Sequence, residues 1–147
     1  MSIVDIIQTL GIVFTIVVAI IQMRFYVKAE RISVITRISE RNDALLNDII
    51  AHHENIKDFS KPFDSKSTAY FGDPRVSIMY RILNFFDEMF FYYKQRLVSK
   101  QMWDLYQNTL KRFISNSFGN TFWQYARDEY NPDFQAVIDS IIAKINK

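Results

Sequence analysis

Apolar residues follow two different patterns along this chain. Residues 3–23 are almost continuously apolar, whereas apolar residues after position 73 recur at helical spacing between polar ones. At 1.5 Å per residue, the first run is about as long as the hydrocarbon core of a bilayer is thick. The pattern therefore predicts a single-pass transmembrane anchor over residues 1–23.

Two other interpretations of the apolar run are less favoured. A cleaved signal peptide has a basic region before its apolar stretch and small residues at the cleavage site. This chain begins with MSIVD, and no small-x-small site follows the run. A buried core helix normally has a polar face, and residues 10–21 show none.

Basic and aromatic residues follow the run directly. Because positive charge favours the cytoplasmic side, the C-terminal part is predicted to face the cytoplasm and the N-terminus to lie outside. The bilayer is then a partner of the chain. The residues predicted at the membrane interface are Arg24, Phe25, Tyr26, Lys28 and Arg31.

A juxtamembrane stalk helix is predicted over residues 24–57, where no Gly or Pro interrupts the chain. Apolar residues recur there at three-four spacing, as in a heptad repeat with one Asn at a core position. The predicted stripe consists of Ile35, Ile38, Asn42, Leu45, Ile49 and Ile56. It predicts either self-association into a homo-oligomer or packing on later helices of the same chain, and the second is favoured.

A linker loop is predicted over residues 58–73, which contain Pro62, Gly72 and a cluster of Ser, Lys and Asp. Asp73 and Pro74 are typical of a helix start. The helix that follows contains LNFFDEMFFYY at 83–93, which is too apolar to face water on all sides. We therefore expect this helix to be central.

Three more helices are predicted in the C-terminal part. Ser99 is expected to cap a helix over residues 100–118, which Gly119 ends in a left-handed conformation. A short helix follows over 121–130, and the Asn-Pro pair at 131–132 begins the last one. With short connections, residues 74–147 are predicted to form a small antiparallel helical bundle, which makes the chain all-α.

Composition narrows the function classes. The chain has no Cys, only three Gly and three Pro, and a net charge of +2, which is too weak to suggest nucleic acid as a partner. We find no phosphate-binding loop, nucleophile elbow or Glu-x-x-His metal motif. The sequence predicts no enzyme activity, no metal site and no cofactor.

Three motifs carry a resemblance to known proteins. They are LNFFDE at 83–88, SKQMW at 99–103 and YNPDF at 130–134. Their order resembles an uncharacterised family of short bacterial and phage proteins with one N-terminal transmembrane helix and a helical cytoplasmic domain. The resemblance implies localisation in a bacterial inner membrane, and no catalytic residues come with it.

Two functional hypotheses follow from these features. The favoured one is a membrane-anchored protein that acts in protein–protein interaction or assembly with an unidentified protein partner. The alternative is an oligomerising membrane effector, of a defence or phage-exclusion type, that perturbs the bilayer. An enzyme acting on lipid or nucleotide is the least favoured.

Overall fold

A computed structural model describes residues 3–51, 59–64 and 73–145, and within residues 3–13 it describes the side chain of Ile12 alone. The described residues form helices and no strand, so the predicted all-α fold is confirmed. The α-helices are α1 (Ile3–Ala51), α2 (Pro74–Lys94), α3 (Lys100–Ser115), α4 (Ser117–Ala126) and α5 (Pro132–Ile145), and Arg127–Glu129 form a 3-10 helix.

The first helix, α1, is continuous over 49 residues. At 1.5 Å per residue it is about 74 Å long. It passes from the predicted anchor into the predicted stalk without a break, as a segment lacking Gly and Pro after position 11 allows. The last residues of the predicted stalk, 52–57, lie outside the described residues.

The predicted membrane anchor is wrong. In the part of the chain that the structure describes, no helix combines the length and apolar character needed to cross a bilayer. The same finding contradicts the predicted inner-membrane localisation, in which the N-terminus lies outside and the C-terminal domain in the cytoplasm.

Three predicted helix starts are confirmed by their capping hydrogen bonds. Asp73 Oδ1 accepts from the backbone N–H two residues later at 2.9 Å, and Pro74 is the first residue of α2. Ser99 Oγ accepts from the N–H three residues later at 3.2 Å, and Asn131 Oδ1 from the N–H two residues later at 2.9 Å. These caps satisfy backbone donors that the first helical turn leaves unpaired.

The predicted end of α3 is wrong. The helix ends at Ser115 because Asn116 adopts an extended conformation (φ −79°, ψ 160°) and caps α4, its Oδ1 accepting from the Gly119 N–H at 2.7 Å. Gly119 lies inside α4 without a positive φ. A Cβ at this position would overlap the carbonyl oxygen of Phe113, so the glycine allows α4 to approach α3 closely.

The short helix predicted over 121–130 consequently begins earlier, at Ser117, and ends at Ala126. The chain then forms the 3-10 helix before the next Asn cap.

The predicted central position of α2 is confirmed. It contacts α1, α3 and α4, and α3 also contacts α4 and α5. Its buried residues are Val76, Ile78, Met79, Ile82, Leu83, Phe85, Phe86, Met89, Phe90 and Tyr92. Aromatic residues of the later helices complete the core, namely Trp103, Phe118, Phe122, Trp123, Tyr130 and Phe134. Large aromatic side chains let a small domain bury much apolar area with few residues.

Part of the predicted linker packs on α4. The Phe118 N–H donates to the Phe59 carbonyl oxygen at 3.3 Å, and the Phe63 N–H donates to Thr121 Oγ1 at 2.7 Å. Apart from 59–64 and Asp73, the predicted linker lies outside the described residues.

Candidate functional site

One face of α1 packs on the body of the protein, which we define as helices α2 to α5. Val34 and Ile38 are each only 5% exposed, and Leu45 and Ile49 pack half-buried against the same core. Their spacing of four, seven and four residues keeps them on one side of a helix with 3.6 residues per turn. We call these four residues the inner face of α1.

Polar side chains hold this contact at its edges. Arg41 pairs with Glu88, and Asp48 pairs with Arg81 of α2. Each of these pairs is exposed and is expected to contribute less than about 1 kcal/mol. Together they set the rotation of α1 on α2 rather than the strength of the contact.

Tyr92 connects both helices through its hydroxyl group. The hydroxyl donates to Glu88 Oε1 at 2.8 Å and accepts from Arg37 Nη1 at 3.2 Å. Burial is the main cause that raises the pKa of Tyr92, and its hydrogen bond to Glu88 raises it further. The phenol therefore stays neutral and can donate and accept at the same time.

A different face of α1 exposes large apolar side chains. They lie about 115° around the helix axis from the inner face, at 100° per residue. We call them the outer stripe, and they are Phe14, Ile21, Phe25, Ile32, Ile35, Leu46 and Ile50. Each is between 46% and 70% exposed. The stripe extends over about 54 Å, from the N-terminal part of α1 into the part that packs on the body. It is interrupted between Ile35 and Leu46, where the polar residues Ser39 and Asp43 occupy the same side of the helix.

The N-terminal part of α1 is exposed on its other sides as well. Ile12, Ile16, Ile20 and Met23 are 48% to 69% exposed and lie away from the outer stripe. A helix that is apolar on all sides is normally covered by other protein or lipid. Residues 12–26 therefore form an apolar surface to which the body contributes no cover.

The five residues predicted at a membrane interface all lie exposed on α1. Phe25 belongs to the outer stripe, and Tyr26, the next residue, is 70% exposed. Arg24, Lys28 and Arg31 alternate with them over about two helical turns. These residues thus form one basic, aromatic section of α1.

The predicted self-association stripe is divided between two faces. Ile38, Leu45 and Ile49 belong to the inner face, whereas Ile35 is 46% exposed and lies at the edge of the contact with the body. Asn42 is half-buried between the two faces. Ile56 lies outside the described residues.

Sequence reasoning missed most of the outer stripe. Phe14 and Ile21 fall in the predicted membrane anchor, and the predicted heptad repeat begins only at Ile35. The signal was present, because Phe14, Ile21 and Ile35 are spaced by multiples of seven, and so are Phe25, Ile32 and Leu46. Such spacing is typical of a helix that pairs with another helix.

A polar groove of about 690 Å³ lies between α2 and the start of α5. Asp87 lines it, and no described residue lies within hydrogen-bond or ion-pair distance of its carboxylate. Burial raises the pKa of Asp87. The neighbouring Glu88 is engaged by Arg41 and Tyr92, so the two carboxylates do not form an acid–base pair.

Among the side chains that the structure describes, no group of three or more acidic or histidine residues could hold a metal ion. The strongest feature of the described surface is therefore the apolar side of α1.

Comparisons with known proteins find no relative, since no protein-family model, curated protein or solved structure matches this chain. The resemblance based on residues 83–88, 99–103 and 130–134 stays a prediction.

Proposed function

We propose that this chain acts without catalysis in protein–protein interaction and assembly, and that copies of it associate through the outer stripe of α1. In this proposal helices α2 to α5 form a small antiparallel bundle that holds α1 by its inner face. The partner on the outer stripe is α1 of a second copy.

The observation that carries the proposal is the exposure of the outer stripe. Fully burying one large aliphatic or aromatic side chain is worth about 1.5–3 kcal/mol. Seven such side chains, each about half exposed, represent on the order of 5–10 kcal/mol per copy. Burying them on two copies exceeds the lower estimates of the cost of association, about 4–15 kcal/mol.

The area of the stripe also suits a stable dimer. At about 25 cal/mol per Å², the same free energy corresponds to roughly 200–400 Å² of apolar surface per copy. Interfaces are about 55–65% apolar, so two copies with their polar flanks would bury roughly 600–1,450 Å² in total. The upper part of this range reaches the roughly 1,000 Å² of the smallest specific interfaces.

The spacing of the stripe favours parallel copies in register. In that alignment each residue of the stripe meets its own counterpart. Asn42, half-buried beside the body, stays outside this contact. Because the body sits about 115° away around α1, a second α1 can lie on the stripe without displacing it.

Sedimentation velocity of the full chain tests the proposal. We expect wild-type protein to associate in the micromolar range and Ile32→Glu to be at least tenfold weaker, because a charge would be buried in the stripe. Ser33→Glu is the matched control, since it adds the same charge at an exposed position on neither face.

Three results would overturn the proposal. Wild-type protein that stays monomeric at all concentrations would remove its basis. Equal association of wild type and Ile32→Glu would exclude the outer stripe as the contact. Uptake of monomers into phosphatidylcholine vesicles, with no protein–protein association, would show that lipid covers the stripe instead.

A further inference from the structure

A second groove lies between α1 and the turn that joins α2 to α3. Its volume is about 510 Å³, within the range of small-molecule sites. We propose that it binds a single-chain amphipathic anion, with a carboxylate or phosphate head group and an apolar chain. This inference goes beyond the assembly role and stands on different observations.

The charge of the groove points to an anion. Arg31 of α1, Arg96 of the turn and Lys100 of α3 line it together, and no carboxylate is among the described residues that line it. In the described part of the chain, neither Arg31 nor Arg96 has an acidic partner. Lys100 pairs with Asp104 at 2.6 Å, an acid that does not line the groove. Two guanidinium groups from separate elements thus share one concave site, which an anionic head group would neutralise.

The backbone at Arg96 places this residue at the end of α2. Its φ is 61°, and among the described residues no other non-glycine residue has a positive φ. The Arg96 N–H donates to the Tyr93 carbonyl at 2.9 Å and the Leu97 N–H donates to the Tyr92 carbonyl at 3.0 Å, which is the hydrogen-bond pattern of a Schellman helix end. Glycine is the usual residue at this position, so an arginine here has some conformational cost.

The remaining walls of the groove are mostly apolar. Ile35, Leu97 and Met102 line it, and Val98, which is 4% exposed, lies among them. Tyr93 and Ser99 complete the lining. A simple inorganic anion would leave these side chains in contact with water. The groove combines a cationic section with an apolar wall. An anionic head group joined to an alkyl chain therefore fits it better than the head group alone or the chain alone.

One residue belongs to both proposals. Ile35 lines the groove and is also a member of the outer stripe, so the groove opens beside the assembly surface. Oligomeric state is therefore measured in the same samples as binding. A ligand that binds a chain which does not associate leaves this inference intact and removes only the assembly proposal.

Calorimetric titration of the full chain with octyl phosphate, below its aggregation concentration, tests the inference. We expect saturable binding with one site per chain, and at least tenfold weaker binding of inorganic phosphate and of 1-octanol. Arg96→Gly is expected to weaken the binding of octyl phosphate at least tenfold. Its unfolding temperature should stay equal or rise, because glycine adopts this φ without strain. Arg31→Gln, on an exposed helix face, is also expected to weaken the binding of octyl phosphate.

Lys111→Gln is the matched control, because Lys111 is an exposed cation of α3 that does not line the groove. Its affinity should equal that of wild type. The inference is overturned if Arg96→Gly and Arg31→Gln both bind within twofold of wild type. It is also overturned if inorganic phosphate binds as tightly as octyl phosphate. A third outcome also overturns it. If all variants bind equally well, and only to vesicles that contain phosphatidic acid, the chain binds an anionic membrane surface and not a single amphiphile in the groove.

Discussion

Ile35 and Ile38 lie about one turn apart on α1 and have opposite environments. Ile38 is 5% exposed against the body, whereas Ile35 is 46% exposed and lies at the edge of the body, where it lines the groove beside the turn after α2. The two residues are only about 60° apart around the helix axis, so the edge of the body passes between them. This edge separates the surface that holds α1 on its own chain from the surface proposed to bind a second copy.

Alanine substitutions should separate these two roles. Ile38→Ala is expected to lower the free energy of unfolding by about 2–4 kcal/mol, because it leaves a cavity under α1. Ile35→Ala is expected to change it by less than about 0.5 kcal/mol. Urea denaturation at low protein concentration measures both while limiting the effect of association. Equal losses for the two variants would contradict the packing of α1 described above.

Asp73 should contribute to stability in two separable ways. Asp73→Ala is expected to cost about 1 kcal/mol, because the N-cap of α2 is lost. Asp73→Asn keeps a capping oxygen and loses only the ionic contact with Arg75, whose closest N–O distance is 2.7 Å.

The ionic part of the Asp73 contribution should depend on pH. Its hydrogen bonds with the Arg75 side chain lower the pKa of Asp73 in the folded protein. A lowered folded pKa stabilises the protein above the unfolded value of about 3.9, and this is lost as the pH falls through the folded pKa. Wild type should therefore be more stable than Asp73→Asn at pH 6, and the difference should shrink as the pH falls through the folded pKa. A difference that stays constant as the pH falls would assign the effect to the cap.

The contribution of Asp87 to stability should depend on pH in the opposite direction. Burial raises its pKa, so its contribution is most favourable below about pH 3.9 and is lost as the pH rises through the folded pKa. Asp87→Asn is expected to be more stable than wild type at pH 7, with the difference shrinking at pH 3. Asp128→Asn is a control, because the Asp128 side chain is 92% exposed. Thermal unfolding across this pH range makes the comparison, and a destabilised Asp87→Asn at pH 7 would show that the carboxylate has a partner.

Gly119→Ala should be destabilising although alanine is the better helix former. The added methyl group would overlap the Phe113 carbonyl oxygen, so α4 must move away from α3, at a cost of about 1–3 kcal/mol. Ser117→Ala, at an exposed position two residues earlier, is expected to stay within about 0.5 kcal/mol of wild type. Chemical denaturation of both variants tests this, and a neutral Gly119→Ala would mean that the approach of the two helices is loose.

Local chemistry made the helix starts of the body predictable. Asp73, Ser99 and Asn131 each cap a helix through an oxygen that bonds to a nearby N–H, and such contacts depend on a few adjacent residues. Asn116 has the same property, but Gly119, three residues later, is also typical of a helix end. The resulting error at the end of α3 arose because glycine serves both as a helix end and as a site of close packing.

The sequence by itself determined that the chain is all-α and where three of its helices begin. It also determined that α2 is too apolar to be exposed to water and must be buried. These properties depend on residues within a turn or two of each other. Only the tertiary structure decided which side of α1 meets the body, because Ile35 and Ile38 are equally apolar and both fit a heptad. The choice between them depends on Val34, Arg41 and Asp48 meeting α2, a contact between residues more than thirty positions apart. The same contact leaves the outer stripe uncovered, and the proposed assembly follows from it.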